Sequence, residues 1–210
     1  MENIKDLRPL CVLTIASSDS GGGAGIQADL KTFAAHGHFG LSAVSGITAQ
    51  NTLEVLDAEY VTPRLLTAEL RAVFADFEVS AIKIGLLGTA ENTLAVYYFL
   101  KKFEEQKVPV VVDPVMCSST GHVFLQDDAV FALKTLLKMA YLVTPNLFEA
   151  RALSGEKVAG FEDYHSAARK IMELGAQNVL IKGGHLTESD SSDDFLLKSD
   201  GSTAIFKGRR

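Results

Sequence analysis

Four short stretches of this 210-residue chain combine residue types that bind anions or metal ions. The first is Gly21–Gly25, GGGAG, between an apolar run and a stretch of helical spacing. A glycine run lets backbone N–H groups close on an anion or a flat ligand with no Cβ in the way. It lacks the Gly-Lys-Ser/Thr of a Walker A loop and does not fit GxGxxG. A turn needing positive φ explains the same glycines. Asp19 before the run and Asp29 one turn into the helix add polar groups, although an acid early in a helix also serves the dipole with no ligand present.

Asp113-Pro114-Val115 closes VPVVV, the most β-branched run in the chain. In open α/β sheets ligands gather beyond the carboxyl ends of strands, so Asp113 is placed to act on Mg²⁺ or a phosphoryl group. An Asx-turn before proline is the structural alternative. Thr144–Glu149, TPNLFE, has Asn146 at a helix start and Glu149 three residues on, which is capping-box spacing. The functional alternative puts Glu149 on a metal-bound water and Asn146 near a nucleotide phosphate; Mg²⁺ keeps several waters and needs few protein carboxylates. Lys182-Gly183-Gly184-His185 offers a point charge and backbone donors to a phosphate, or forms a tight turn.

Each stretch is weak alone. All four follow expected strands, so a parallel sheet gathers them along one edge. A carboxylate for Mg²⁺, glycine-rich turns and a lysine point together to phosphoryl transfer, which depends on positioning and charge neutralisation.

The elements that must hold these residues alternate along the chain. Leu10–Ser17, Leu41–Ala49, Ser80–Leu86, Val108–Val112, Tyr141–Thr144 and Asn178–Lys182 read as strands. Helical spacing covers Gly25–His36, Pro63–Phe77, Glu91–Glu105, Asp127–Lys138, Leu147–Leu153 and Tyr164–Leu174. Gly37 is a stop for the first of these. Phe195–Leu197 and Thr203–Phe206 form a hairpin around Asp200–Gly201, after the acidic, serine-rich Thr187–Asp194. Continuous apolar strands between amphipathic helices make this an α/β chain with a mainly parallel central sheet covered on both faces.

Composition agrees. The chain is 47% hydrophobic and 22% charged, with a formal charge of −6 and a pI near 5.4. That is an ordinary globular balance and a poor one for a nucleic-acid surface. Cys11 and Cys117 are too few and too far apart for a metal cage or disulfide framework, and are expected as reduced, buried thiols. No apolar run approaches the roughly 18 residues that span a bilayer. MENIKDLRPL has no secretory h-region, so a cytoplasmic protein is expected; the terminal GRR reads as a frayed end.

Taken together, SDSGGGAGIQADLKTF (Ser18–Phe33), TAQNT (Thr48–Thr52), KIGLL (Lys83–Leu87), VVVDPVM (Val110–Met116), VTPNLFEA (Val143–Ala150) and IKGGH (Ile181–His185) resemble the hydroxymethylpyrimidine/phosphomethylpyrimidine kinase family of the ribokinase-like superfamily. The likeness runs from about Leu10 to Phe206, as one kinase domain. It implies ATP-dependent phosphorylation of hydroxymethylpyrimidine and then of its monophosphate in thiamine biosynthesis, with Mg²⁺ and a homodimer. By motif, Gln50 meets the aminopyrimidine, for which an amide with both donor and acceptor is suited. Asp29 and the backbone at Ser17 seat the ring or its hydroxymethyl group, and Val115 packs on the ring. Glu149 organises Mg²⁺ with Asp113 nearby, while Asn146 and Lys182 contact the nucleotide.

Two departures shape the expectation. Leu86 stands where the family has Met, a change of similar size. The family's NTHGTGC-like loop and its following helices, which supply the anion hole and the residue that activates the hydroxyl, have no match in this sequence. No residue is therefore assigned as catalytic, and Cys117 does not replace the missing Cys by position. Donors of that kind are each worth roughly 10²–10³ in rate, so weak turnover and an uncovered apolar sheet surface are expected. Pyridoxal kinase, or a pyrimidine-binding remnant without turnover, are the competing readings.

Overall fold

The computed structural model describes residues 9–116, 127–184 and 192–209. Cys117, His185, most of the acidic serine-rich stretch, the first eight residues and Arg210 lie outside them. Fifteen regular elements follow the expected alternation: β1 (Cys11–Asp19), α1 (Gly25–Ala35), β2 (Phe39–Gln50), β3 (Val55–Tyr60), α2 (Pro63–Asp76), β4 (Val79–Ile84), α3 (Ala90–Leu100), β5 (Val110–Val112), α4 (Asp127–Leu136), β6 (Leu142–Val143), α5 (Leu147–Ser154), α6 (Tyr164–Glu173), β7 (Asn178–Ile181), β8 (Asp194–Leu197) and β9 (Thr203–Phe206).

The strands form one sheet in the order β3-β2-β1-β4-β5-β6-β7-β8-β9. The run from β2 to β7 is parallel, while β3 and the β8–β9 hairpin pair antiparallel at the two edges. The chain winds one way from β1 to β2 and the other way from β4 onward. The switch point is therefore between β1 and β4, where an α/β sheet opens a crevice at its carboxyl edge.

Strand alternation sorts the side chains by face. Leu13, Ile15, Ile84, Val112, Val143, Val179 and Ile181 are fully buried on one face, in one cluster with Leu66 and Leu70 of α2, Val96 of α3, Leu136 of α4 and Ile171 of α6. The opposite face carries α1, whose Leu30 sits so close over Gly40 that a Cβ there would come within 2.6 Å of it. Helices thus fall on both faces, unequally. Val111, Leu142, Leu180 and Leu196, on the α1 side of β5–β8, are only half-buried and stand outside that cluster.

Four details differ from the sequence reading. The edge strand β3 was not expected. Its VLDAEY pattern carries two acids in six residues and none is buried, as an edge strand tolerates. The helix expected over Glu91–Glu105 ends at Leu100 and tightens into a 3₁₀ turn, Lys101–Gln106. The strand expected from Val108 begins at Val110, because Pro109 has no N–H to give a ladder. Cys11 is a free thiol that is half-buried against the core rather than enclosed. No helix among the described residues is long and apolar enough to cross a membrane.

Candidate active site

A cleft of about 320 Å³ lies at the switch point. Its wall is Ala16–Asp19 from β1, Ala24 and Gly25 from the glycine loop, Thr48 and Gln50 from β2, Lys83 and Leu86 from β4 and the turn after it, Asp113 and Val115 after β5, and Lys182 after β7. Five of the expected site residues meet here: Ser17, Gln50, Val115, Asp113 and Lys182.

The β1 side is built on backbone geometry. The register of β1 against β2 slips between Ala16 and Ser18, leaving an extra residue in β2. Bulges of this kind re-aim side chains beside functional sites. Here Ser45 Oγ is brought to 2.9 Å from Ser17 Oγ, and both hydroxyls donate to the Leu86 carbonyl, at 2.6 and 3.2 Å. The Ser17 side chain is therefore spent inside the sheet, and only its backbone faces the cleft. Asn92, wholly buried at the start of α3, donates from Nδ2 to the carbonyls of Ser45, Val61 and Leu87 and ties the same turn from behind.

The glycine loop holds an anion of its own. Asp19 accepts hydrogen bonds from the N–H groups of Gly21 (2.8 Å), Gly23 (3.0 Å) and Ala24 (2.8 Å), and its own N–H donates to Gln27 Oε1. Gly25 has φ +57, and a Cβ there would stand 2.4 Å from the Ser17 carbonyl. The loop thus needs glycine for a close backbone approach, and its donors are organised around Asp19.

Gln50, expected from the motif to meet the aminopyrimidine, is half-exposed on the cleft wall, with Thr48 Oγ1 3.4 Å from its Oε1. Asp29, expected to seat the ring or its hydroxymethyl group, is held by two side chains of the sheet. Its Oδ2 accepts from Thr14 Oγ1 at 2.6 Å and from Lys83 Nζ at 2.8 Å, and it lies behind Lys83 rather than on the wall.

The β5–β7 side is charged. Lys182 Nζ donates to Asp113 Oδ1 at 2.7 Å, and Thr144 Oγ1 approaches the same oxygen at 3.3 Å. A partly exposed pair of this kind adds little to stability; it sets where the two charges stand. A lone bridge pairs Lys182 with Asn146. Asn146 begins α5 as a full capping box: its Oδ1 accepts from the N–H groups of Phe148 and Glu149, and Glu149 Oε2 accepts from the Asn146 N–H at 2.7 Å. Glu149 is 2% exposed. Burial pushes its carboxyl up to about 7, against the pull of the Asn146 N–H, the Lys182 ammonium and the Met116 N–H; Asp113 adds a further push upward. On the last turn, the Gly183 N–H is taken by Asp194 Oδ1 at 2.9 Å, so it is not an open donor.

Lys83 and the organising role of Asp19 were missed from sequence. A lysine inside an otherwise apolar strand was the available signal for the first, since a buried ammonium needs a partner.

A mainly parallel sheet wound both ways from β1, with a charged cleft at the switch point, is the architecture of the ribokinase-like α/β kinases. The phosphomethylpyrimidine kinase family profile matches residues 19–210, and the chain belongs to that family. It is 46% identical over 195 residues to the hydroxymethylpyrimidine/phosphomethylpyrimidine kinase of Rhizobium meliloti, covering 92% of this chain and 71% of that protein. The Haemophilus influenzae kinase of the same name is 46% identical over 204 residues, covering 96% and 73%. Among solved structures, phosphomethylpyrimidine kinase from Clostridium difficile superposes with a TM-score of 0.86 at 40% identity, over 95% of this chain and 84% of that one. Bacillus subtilis pyridoxal kinase, solved as an ADP complex, gives 0.83 at 33% identity, over 96% and 75%.

Proposed function

We propose that this protein transfers a phosphoryl group from ATP to hydroxymethylpyrimidine and then to its monophosphate, in thiamine biosynthesis. The observation that carries the reading is the switch-point cleft, which sets an amide-bearing wall opposite a carboxylate–lysine wall. Gln50 and Thr48 offer donors and acceptors to an aminopyrimidine edge, and Val115 and Leu86 give the ring apolar contact. The ring packs against the backbone at Ser17, which the Ser17–Ser45–Leu86 bonds hold in place. Asp29 serves the acceptor through Lys83 and not by direct contact.

At the other wall, Lys182 neutralises phosphate charge and Asn146 lies close to the nucleotide. No group of three or more His, Cys, Asp or Glu that could hold a metal occurs among the described residues. Asp113 and the buried Glu149 nevertheless suit Mg²⁺, which takes one or two protein carboxylates and completes its shell with water and phosphate. Mg²⁺ bound there supplies charge neutralisation to the transferring phosphate. Glu149 is then needed as the carboxylate, which Lys182 favours. No side chain of the cleft is assigned the deprotonation of the alcohol.

The chain's own likeness to pyridoxal kinase makes pyridoxal the competing acceptor. Two measurements on the purified chain separate the readings: ADP release with each alcohol, and calorimetric titration of each alcohol without nucleotide. The pyrimidine is expected to bind at least about 10-fold more tightly than pyridoxal, since a mispaired polar edge costs on the order of 1–3 kcal/mol. Equal binding, or a preference for pyridoxal, overturns the assignment. A cytoplasmic location, where ATP is at hand, is part of the same proposal. A homodimer is proposed through the β2–β3 edge, where Ile47, Leu53 and Leu56 are 62%, 79% and 68% exposed. Sedimentation of a purely monomeric species at high concentration excludes it.

A further inference from the structure

We propose that Lys83 is the cation that recognises the phosphate of the monophosphate acceptor, and so sets the balance between the free alcohol and its phosphate ester. The inference deepens the function proposed above and rests on it.

Lys83 is an unusual residue for its place. It stands in β4 between Ile82 and Ile84, which are 3% and 0% exposed, in the middle of a parallel sheet. A lysine at such a position loses hydration, so its ammonium must be met by something. Asp29 meets part of it: Oδ2 accepts from Nζ at 2.8 Å and from Thr14 Oγ1 at 2.6 Å. An ammonium has three N–H donors, and this contact uses one of them. The head remains on the cleft wall, with the side chain 24% exposed.

Its direction is set by an absence. A Cβ on Gly85 would stand 2.9 Å from Nζ and 3.1 Å from the Ala16 Cβ. The lysine therefore rises through the slot that Gly85 leaves, from its own level in the sheet to the level of the cleft. Asp29 lies behind it, so the cation and not the carboxylate faces the ligand.

Lys83 also lies between the two walls. Thr48 and Gln50 are on one side, Asp113 and Lys182 on the other, and the only cations on this wall among the described residues are Lys83 and Lys182. Lys182 is bound to Asp113. A neutral alcohol needs no further cation. A phosphate ester brings about two negative charges beside Asp113 and Glu149, and Lys83 is the donor placed to receive them.

The test uses calorimetric titration of the whole chain with hydroxymethylpyrimidine and with its monophosphate, without nucleotide. Lys83→Met is expected to weaken the monophosphate on the order of 30-fold, as for a lost charge-assisted bond, and the alcohol no more than a few-fold. Raising the salt should erode the wild-type preference for the ester and leave the variant's affinities level. Because Lys83→Met strands Asp29, Gly85→Ala and Lys83→Met/Asp29→Asn are titrated beside it. The first crowds the ammonium and the second removes both charges; each should again shift the ratio against the ester. Variants that lose both ligands equally, or neither, overturn the role of Lys83. A wild-type chain that binds neither ligand overturns the pyrimidine reading itself, which is a different result.

Discussion

Two buried carboxylates occupy equivalent places in this fold and live in opposite circumstances. Asp19 ends β1 and Glu149 lies in the first turn of the helix after β6; each sits where a strand turns into a helix at the carboxyl edge. Asp19 is 5% exposed and receives three backbone N–H groups, so its charge is matched by fixed donors. Glu149 is more deeply buried and faces Asp113, with the Asn146 and Met116 N–H groups and the Lys182 ammonium in partial compensation. The same residue chemistry therefore gives a structural keystone on one side of the cleft and a proton-sensitive group on the other. A carboxylate that holds its proton until about pH 7 has capacity for a further cation, and one surrounded by amides does not.

The largest effect that would break this contrast is at Asp19. Asp19→Ala should orphan three backbone donors and let the glycine loop open, at a cost of about 3–4 kcal/mol in urea unfolding. Asp19→Asn keeps one acceptor oxygen and should lose about half as much. If Asp19→Ala is nearly neutral, the loop is not organised by the carboxylate and its N–H groups are available to a ligand after all.

Glu149 should answer to pH instead. Its folded value near 7 exceeds the ordinary 4.5, so between those values the folded protein holds a proton that the unfolded chain has lost. The stability it contributes is full below about pH 4.5 and is lost as the pH rises through 7. Glu149→Gln keeps an acceptor for the Asn146 N–H and removes the titration. The variant should gain on wild type from pH 5 to pH 8, by up to about 3 kcal/mol. At pH 8, Mg²⁺ with ATP should stabilise wild type more than the variant. Parallel pH profiles for the two proteins would sink the account.

The contrast also marks where sequence reading succeeded. The strand–loop–helix order, the carboxyl-edge placement of Asp113 and Lys182, and the capping box of Asn146 and Glu149 all follow from local pattern and spacing, and the structure has them. What stayed hidden depends on the third dimension. Lys83 and Asp29 are 54 residues apart, and only the pairing of β4 against β1, under α1, makes them partners. The strand β3 lacks apolar alternation because it is held by β2 at an edge, not by a core. Likewise GGGAG allows either an anion loop or a positive-φ turn in sequence, and only the fold shows its N–H groups gathered on Asp19.

A smaller effect is expected at Gly25. Gly25→Ala places a Cβ against the Ser17 carbonyl at a φ of +57, where an L-residue is strained. A loss of about 2 kcal/mol is expected, together with weaker binding of any ring seated on Ser17. A loss of binding without a loss of stability would mean that the loop moves aside and closes the cleft.

The smallest effect is the most discriminating on the Glu149 side, because Asn146 has two candidate roles. As an N-cap it satisfies the N–H groups of Phe148 and Glu149. Asn146→Ala should therefore cost about 1 kcal/mol, whatever the ligand. Asn146→Asp caps a helix equally well and should leave stability within a few tenths of a kcal/mol. It also adds a negative charge beside Lys182, where the nucleotide phosphate is proposed to lie. If that placement is right, Asn146→Asp should weaken ATP several-fold with the fold intact, an effect that shrinks in high salt. If ATP affinity follows stability in both variants, Asn146 is a helix cap alone, and the nucleotide side of the cleft reduces to Lys182, Asp113 and Glu149.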